Sequence, residues 1–130
     1  MKHLFIIDQP QALNIEIDTS LQLALAFIEQ GDQVYFAFPH ELAWQTGSTS
    51  PLVFYRQGEC GKGRCISFAS KEQQAALGDF DAIHMRKDPP FDINYINLTW
   101  MLDTARKDAV LINDSHALRD INEKFSILQY

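Results

Sequence analysis

The chain has 130 residues, which fits one compact domain with a buried core and is too short for a two-domain enzyme. Its 17 acidic residues outnumber 11 lysines and arginines, and the formal charge of -6 argues against the basic surface that DNA or RNA requires. No apolar run approaches the ~18 residues of a membrane span, and Asp8 interrupts the first run too early for a signal peptide. We therefore expect a cytoplasmic protein that binds neither nucleic acid nor membrane.

Four short apolar runs, rich in β-branched or aromatic residues, predict buried strands. They occupy residues 4–7, 34–38, 80–85 and 109–112. A helix is predicted between the first two strands, because four apolar residues follow the spacing i, i+3, i+4, i+7: Leu21, Ala24, Leu25 and Ile28. Asp18, Thr19 or Ser20 can cap its start, and Gly31 stands where a helix commonly ends.

The segment 93–107 predicts a second helix between the third and fourth strands. Asp92 or Asn94 can cap it, and the residues available for its buried face are Ile96, Trp100, Met101 and Ala105. Strands that alternate with helices favour a parallel sheet, because parallel neighbours need a crossover connection. The sequence therefore predicts an α/β fold, a Rossmann-like three-layer α/β/α domain with a mostly parallel sheet.

Residues 40–67 break this alternation, since the turn cluster at 46–51 separates two hairpin-like segments. We expect an inserted β-hairpin and loop there. Ser70 and Gln73 form a capping-box pattern that predicts a short helix through Ala75, Ala76 and Leu77. At the C-terminus, Asp120 and Glu123 form a similar pattern, and no glycine or proline ends that helix before Tyr130. This pattern favours a chain that continues into further structure.

Polar residues follow the first strand at the carboxyl edge of the predicted sheet, where α/β proteins bind their ligands. Asp18, Thr19 and Ser20 stand at a helix N-terminus, which can seat a carboxylate or phosphate; the alternative is that they only cap the helix. The chain lacks both the G-x-G-x-x-G and the G-x-x-x-x-G-K-[ST] patterns, so it encodes neither a dinucleotide fingerprint nor a P-loop.

A charged segment follows the third strand, and Pro89 and Pro90 restrict its backbone. Arg86 offers a planar fork suited to a carboxylate, Lys87 a mobile charge, and Asp88 an acceptor for an ammonium group. The alternative is an internal ion pair, with Asp92 capping the next helix.

The histidines and cysteines give weaker indications. None of the four histidines has metal-ligand spacing, and His84 is interpreted as a packed, hydrogen-bonded strand residue rather than a catalyst. Cys60 and Cys65 lack a second Cys/His pair, so they favour a surface loop with two thiols over a metal or redox site.

Two segments resemble the N-terminal region of bacterial glutathione synthetases. They are M-R-K-D-P-P-F-D at residues 85–92 and L-R-D-I-N-E-K at residues 118–124, and they occur in this order at a similar separation in that family. Asp8, Asn14 and the Asp18-Thr19-Ser20 trio are also similar to the opening of these enzymes. The resemblance covers nearly the whole chain, although residues 40–67 contain no matching motif.

The resemblance implies the pre-ATP-grasp domain of a ligase that joins γ-glutamylcysteine to glycine through an acyl phosphate. ATP and Mg²⁺ would bind to ATP-grasp domains absent from this chain, which by itself would hold no cofactor. Residues 1–130 would form one domain, with 120–130 starting the connection to the missing domains. The family also implies dimer contacts, so we expect a homo-oligomer, with the apolar residues Phe125, Ile127 and Leu128 favouring association through that end.

The resemblance also implies roles for single residues. Arg86, Lys87 and Asp88 would contribute to the peptide-substrate end of the cleft, with Asp18 and Ser20 as neighbours. Lys124 would reach the nucleotide phosphates. No residue of the chain is assigned as catalytic or as a metal ligand.

Two alternatives stay open at this point. The chain could be a stand-alone binding or interaction protein derived from this domain, or part of a related ATP-grasp peptide ligase with another acceptor. In each case we expect no catalysis from the 130 residues alone.

Overall fold

A computed structural model describes residues 1–9, 19–44, 47, 50–61, 66–86 and 93–112. In chain order, their helices and strands are β1 (Lys2–Ile6), α1 (Thr19–Glu29), β2 (Gln33–Ala37), β3 (Leu42–Ala43), β4 (Leu52–Cys60), β5 (Ile66–Phe68), β6 (Gln73–Ala76), β7 (Ala82–Met85), α2 (Ile93–Asp103) and β8 (Val110–Ile112). Short 3₁₀ turns occupy Pro39–Glu41 and Leu77–Asp79. The four predicted strands and the two predicted helices are present, but β8 is not buried as predicted, since Val110 is 61% and Ile112 is 39% exposed. The helix predicted from Asp120 lies outside the described residues.

The strands form one mixed sheet in the order β3-β4-β2-β1-β7-β8, and β5 and β6 also pair with β4. Strands β2, β1, β7 and β8 are parallel to one another. Strand β4 is antiparallel to each of its partners β2, β3, β5 and β6. The predicted mostly parallel sheet is therefore correct only for this four-strand part, because every pairing made by β4 is antiparallel.

The two helices cover opposite faces of the parallel strands. There are two hydrophobic cores, one on each face of the sheet, and successive residues of β1 point into them alternately. Phe5 and Ile7 pack with α1, whereas Leu4 and Ile6 lie in the cluster that contains the buried apolar residues of α2. The crossovers leave the central pair β1 and β7 toward opposite edges of the sheet, and right-handed crossovers in opposite directions place their helices on opposite faces. The parallel part of this α/β fold thus has one helix on each face.

The antiparallel insertion is larger than the sequence predicts. The expected hairpin is present, since Leu42 pairs with Val53 across β3 and β4. The short helix predicted after Ser70 is wrong: Gln73 to Ala76 form strand β6, paired with β4 from Tyr55 to Leu52. A helix of one turn has a costly nucleus, whereas the edge of β4 offers a ready row of backbone partners.

The buried face predicted for α2 is shifted along the helix. The structure buries Tyr95, Leu98, Thr99 and Leu102. Trp100 is 51% exposed and Ile96 is half-buried, although Ala105, just beyond the helix, is buried as expected. The prediction took the most apolar residues as the inner face, but packing against the sheet selects residues by their angular position on the helix, and it accepts a tyrosine and a threonine there.

A chain of polar groups crosses the core on the α1 face. The Nε2 atom of His3 lies 3.2 Å from the Oδ2 atom of Asp32, and its Nδ1 atom lies 3.0 Å from the Nε2 atom of His84. Asp32 accepts only, so His3 donates from Nε2; with His3 neutral, the Nε2–H of His84 donates to Nδ1 of His3. The His84 ring stacks on Phe5 with centroids 4.2 Å apart. Its interpretation as a packed, hydrogen-bonded residue is confirmed.

His84 is 1% exposed, and its Nδ1 atom has no hydrogen-bond partner within the described part of the chain. Burial, followed by the charges of His3 and Arg86, lowers the pKa of His84 to about 4, from an ordinary value of 6.5. The folded protein therefore disfavours protonation of this ring.

We expect His84 to destabilise the fold in acid. Above pH 6.5 the ring is neutral in both states and contributes nothing; as the pH falls toward about 4, the unfolded chain binds the extra proton and the folded chain does not. The loss approaches about 3 kcal/mol, from 1.36 kcal/mol per pKa unit. Urea unfolding at pH 7 and pH 4.5 should show a smaller pH-dependent loss in His84→Phe than in the wild type. The matched variant His40→Phe, altered at an exposed position, should keep the wild-type loss, and an undiminished loss in His84→Phe would contradict the assignment.

Candidate functional site

The carboxyl ends of β1 and β7 mark the point where the connections of the sheet diverge. From β1 the chain crosses through α1 to β2 on one side, and from β7 it crosses through α2 to β8 on the other. Open α/β sheets bind ligands in the crevice that such a switch point creates. The N–H of Arg86 donates to the carbonyl of Ile6 at 2.9 Å, so the two strands stay paired up to this edge.

Arg86 lies on the α1 side of the crevice. Its Nε–H donates to the hydroxyl oxygen of Ser20 at 2.9 Å, and Ser20 is the second residue of α1 and only 7% exposed. Arg86 itself is half-buried. No described residue accepts a hydrogen bond from its Nη1 or Nη2 atoms. The serine therefore fixes the guanidinium by one edge, and the Nη1/Nη2 edge retains the geometry that binds a carboxylate through two parallel bonds.

A cleft of about 520 Å³ lies on the α2 side of the same edge. Its polar lining comes from the end of β1, the turn after β2 and the first half of α2: Asp8, Gln9, His40, Asn94 and Asn97. Leu98 and Met101 supply apolar surface. Asp8 is the carboxylate in this described lining, so the cleft favours a ligand with a cationic or hydrogen-bonding group.

The turn that carries His40 is held by a buried ion pair. Both Arg56 guanidinium ends contact Glu41, with Nη1 donating to Oε1 at 2.9 Å and Nη2 to Oε2. The same Oε1 atom accepts the N–H of Phe38 at 2.8 Å, and the guanidinium lies 4.5 Å from the centre of the Phe38 ring. The hydrogen bond to Glu41 is the largest cause that raises the pKa of Arg56. The insertion thereby braces one wall of the cleft.

The structure brings two of the sequence-predicted site residues together, Arg86 and Ser20. Asp18, Lys87, Asp88 and Lys124 lie outside the described residues, as do Asp92 and the ion pair considered for it. The sequence predicts neither His40 nor Asn97 as a site residue, and it indicates Asn94 only as a helix cap. His40 could have been predicted as a site residue, because it closely follows a predicted strand and so lies at the edge of the sheet. Asn97 could be predicted only if the side of α2 that faces the cleft were known.

Other kinds of site find little support in the part of the chain that the structure describes. No three His, Cys, Asp or Glu residues cluster there as metal ligands would. None of its helices combines the length and apolar character needed to cross a membrane. Cys60 carries an exposed free thiol, but it is the last residue of strand β4 rather than part of a loop, and Cys65 lies outside the described ranges.

Comparisons with known proteins agree on one family. The family described as prokaryotic glutathione synthetase, N-terminal domain, matches residues 1–119. The chain is 34% identical to the glutathione synthetase of Nitrosomonas europaea, with 100% of the chain and 42% of that protein covered. It is also 34% identical to the glutathione synthetase of Vibrio cholerae, over 92% of the chain and 37% of that protein. The chain thus spans about two fifths of the length of these curated relatives.

Loss of Arg56 should destabilise the fold strongly, because it leaves the carboxylate of Glu41, whose side chain is 8% exposed, buried without its charge partner. We expect Arg56→Met to lower the free energy of unfolding by about 3–5 kcal/mol in urea titrations. Glu72→Gln is the matched control: Glu72 contacts the same guanidinium at 3.2 Å but its side chain is 62% exposed, so its loss should cost under ~1 kcal/mol. Equal costs for the two variants would contradict the assignment of the brace to Glu41.

Proposed function

Because the chain belongs to the family of prokaryotic glutathione synthetase N-terminal domains, we propose that it is the substrate-binding domain of an ATP-dependent ligase. The ligase joins γ-glutamylcysteine to glycine through an acyl phosphate. In this proposal the chain binds the peptide substrate, while ATP, Mg²⁺ and the acyl-transfer chemistry belong to ATP-grasp domains beyond these 130 residues.

The observation that carries this proposal is the fixed Arg86 guanidinium at the switch point. A cationic, planar donor suits a peptide with carboxylate groups, and Arg86 stands at the carboxyl edge of the sheet, directly after β7. Ser20 acts as the residue that orients this donor. Lys87, Asp88 and Asp18 extend the same peptide site in the proposal, and Lys124 reaches toward the nucleotide phosphates.

The division of labour also follows from the chemistry of phosphoryl transfer. That reaction requires groups that clamp the triphosphate and its metal ions. No acidic cluster able to hold Mg²⁺ occurs among the residues with described positions, and the relatives are more than twice as long as the aligned region. The proposal therefore assigns the nucleotide to the remaining domains.

Replacement of Arg86 should weaken binding of γ-glutamylcysteine to the chain. Charge-assisted hydrogen bonds contribute about 1.5–3 kcal/mol, so Arg86→Ala should raise Kd at least about tenfold, as measured by NMR titration of backbone amides. Arg86→Lys should also bind more weakly, because an ammonium group lacks the planar fork. Arg106→Ala removes a partly exposed arginine that pairs with Asp103, and it should bind like the wild type. An unchanged Kd in Arg86→Ala would leave Arg86 as a structural residue.

The chain alone should not catalyse the ligase reaction. When it is mixed with ATP, Mg²⁺, γ-glutamylcysteine and glycine, a coupled assay should detect no ADP above the protein-free blank, because the phosphate clamp is assigned to other domains. Omission of γ-glutamylcysteine distinguishes contaminating ATPase activity from ligation. Peptide-dependent ADP release by the chain would contradict the proposed division of labour.

A further inference from the structure

We infer that residues 120–128 of this chain dock as a helix on the uncovered side of strand β8, with Ile121, Phe125 and Leu128 facing the sheet. The docking itself does not depend on the proposed function. Its consequence does: the helix would fix Lys124, which the proposed function assigns to the nucleotide phosphates, to the sheet of the substrate-binding domain.

The docking surface consists of Val110 and Ile112, which together form what we call the β8 face. Val110 is 61% exposed and Ile112 is 39% exposed, although both lie in a strand of the parallel sheet. Ile112 pairs with His84, and the His84 ring stacks on Phe5, which packs with α1. The β8 face therefore lies on the α1 side of the sheet. The described apolar cluster around α1 contains neither of its residues, so that helix leaves the β8 face uncovered.

The opposite side of β8 is already covered. Leu111 points to that side and packs against the cluster that contains Leu98 and Leu102 of α2. Strands of parallel sheets are normally buried on both sides, because helices cover both faces. A β-branched pair exposed on one side of such a strand therefore indicates that a further element belongs on that side.

The chain that follows β8 is placed to supply this element. Strand β8 is parallel to β7, so it ends at the carboxyl edge of the sheet. In α/β folds the chain turns at that edge and packs its next helix against a face of the sheet. The connection 113–119 has seven residues. Seven residues span up to about 23 Å, which exceeds the ~10 Å diameter of a helix lying on the sheet. The connection is thus long enough to return the chain to the β8 face.

The segment 120–128 has an apolar side of matching size. Three of its apolar residues follow the helical spacing i, i+4, i+7: Ile121, Phe125 and Leu128. At 1.5 Å per residue, a helix of this segment is about 13 Å long. The stretch from Ala82 to Arg86, beside the β8 face, is also about 13 Å long at 3.3 Å per residue. One side of the helix can therefore cover the exposed side of β8 along its length.

The size of the β8 face favours a tethered segment over a second copy of the chain. A stable interface between two proteins uses ~20–30 residues a side, whereas the β8 face offers two exposed apolar side chains. A segment joined by a short flexible connection is present at an effective concentration in the mM range, so a small apolar contact is enough to hold it.

The test is an NMR measurement of contacts in the 130-residue chain. We expect NOEs between the methyl groups of Val110 and Ile112 and the ring of Phe125 within one molecule. A sample that mixes isotope-labelled and unlabelled chains separates these NOEs from contacts between molecules. NOEs found only between molecules would assign the β8 face to a second copy, and no NOE between this face and residues 120–128 would leave it to another partner. Either result overturns the inference, and neither bears on the binding of γ-glutamylcysteine.

Two matched variants test the orientation of the helix. Phe125→Asp should abolish these NOEs and shift the methyl signals of Val110 and Ile112. Ser126→Asp adds the same charge on the opposite side of the predicted helix, so it should leave both unchanged. The methyl signals of Ile93, which is 64% exposed on α2, should not move in either variant. Equal shifts in the two variants overturn the orientation, and the wild-type NOEs remain decisive if Phe125→Asp does not fold.

Discussion

The parallel pairing of β1 with β7 is the constraint on which the rest of the structure depends. The paired residues run from His3 with Ala82 to Ile6 with Met85. The hydrogen bond from the N–H of Arg86 to the carbonyl of Ile6 extends this pairing to the carboxyl edge of the sheet. Because the crossovers leave this pair in opposite directions, α1 and α2 occupy opposite faces of the sheet. The same pairing therefore creates the two cores.

The groups around this pair have different electrostatic tasks. His84 precedes Arg86 by two residues on the same face, and its pKa of about 4 keeps it neutral at pH 7. A neutral ring avoids a second cation close to Arg86, at the cost of a buried nitrogen that has no hydrogen-bond partner among the residues the structure describes. In the antiparallel part of the sheet, the charge of Arg56 on β4 is neutralised by Glu41, and this ion pair stabilises the fold. Among the described residues, Arg56 is paired with two carboxylates, whereas the Nη1 and Nη2 atoms of Arg86 have no acceptor, so the two arginines differ in role.

Much of the scaffold could be predicted from sequence because it depends on local patterns. The strand runs, the spacing of Leu21 to Ile28 and the glycine after α1 can be recognised within short stretches of sequence. The antiparallel strand β6 could not be predicted, since Gln73 to Ala76 become a strand only where β4 offers backbone partners. The prediction of the buried face of α2 was also wrong. Apolar residues occur all around this helix, so only its packing against the sheet determines which side is buried.

The candidate site was likewise predictable in its residue types but not in its contacts. The sequence by itself determined the family, through motifs whose residue types are set by chemistry, and it identified Arg86 and Ser20 as candidate site residues. Only the tertiary structure decided that these two residues, 66 positions apart, share a hydrogen bond, and that Asp8, His40 and Asn97 line one cleft. The physical reason is that a residue's chemistry is local, whereas its partners depend on the direction of each crossover and on which side of the sheet each side chain points.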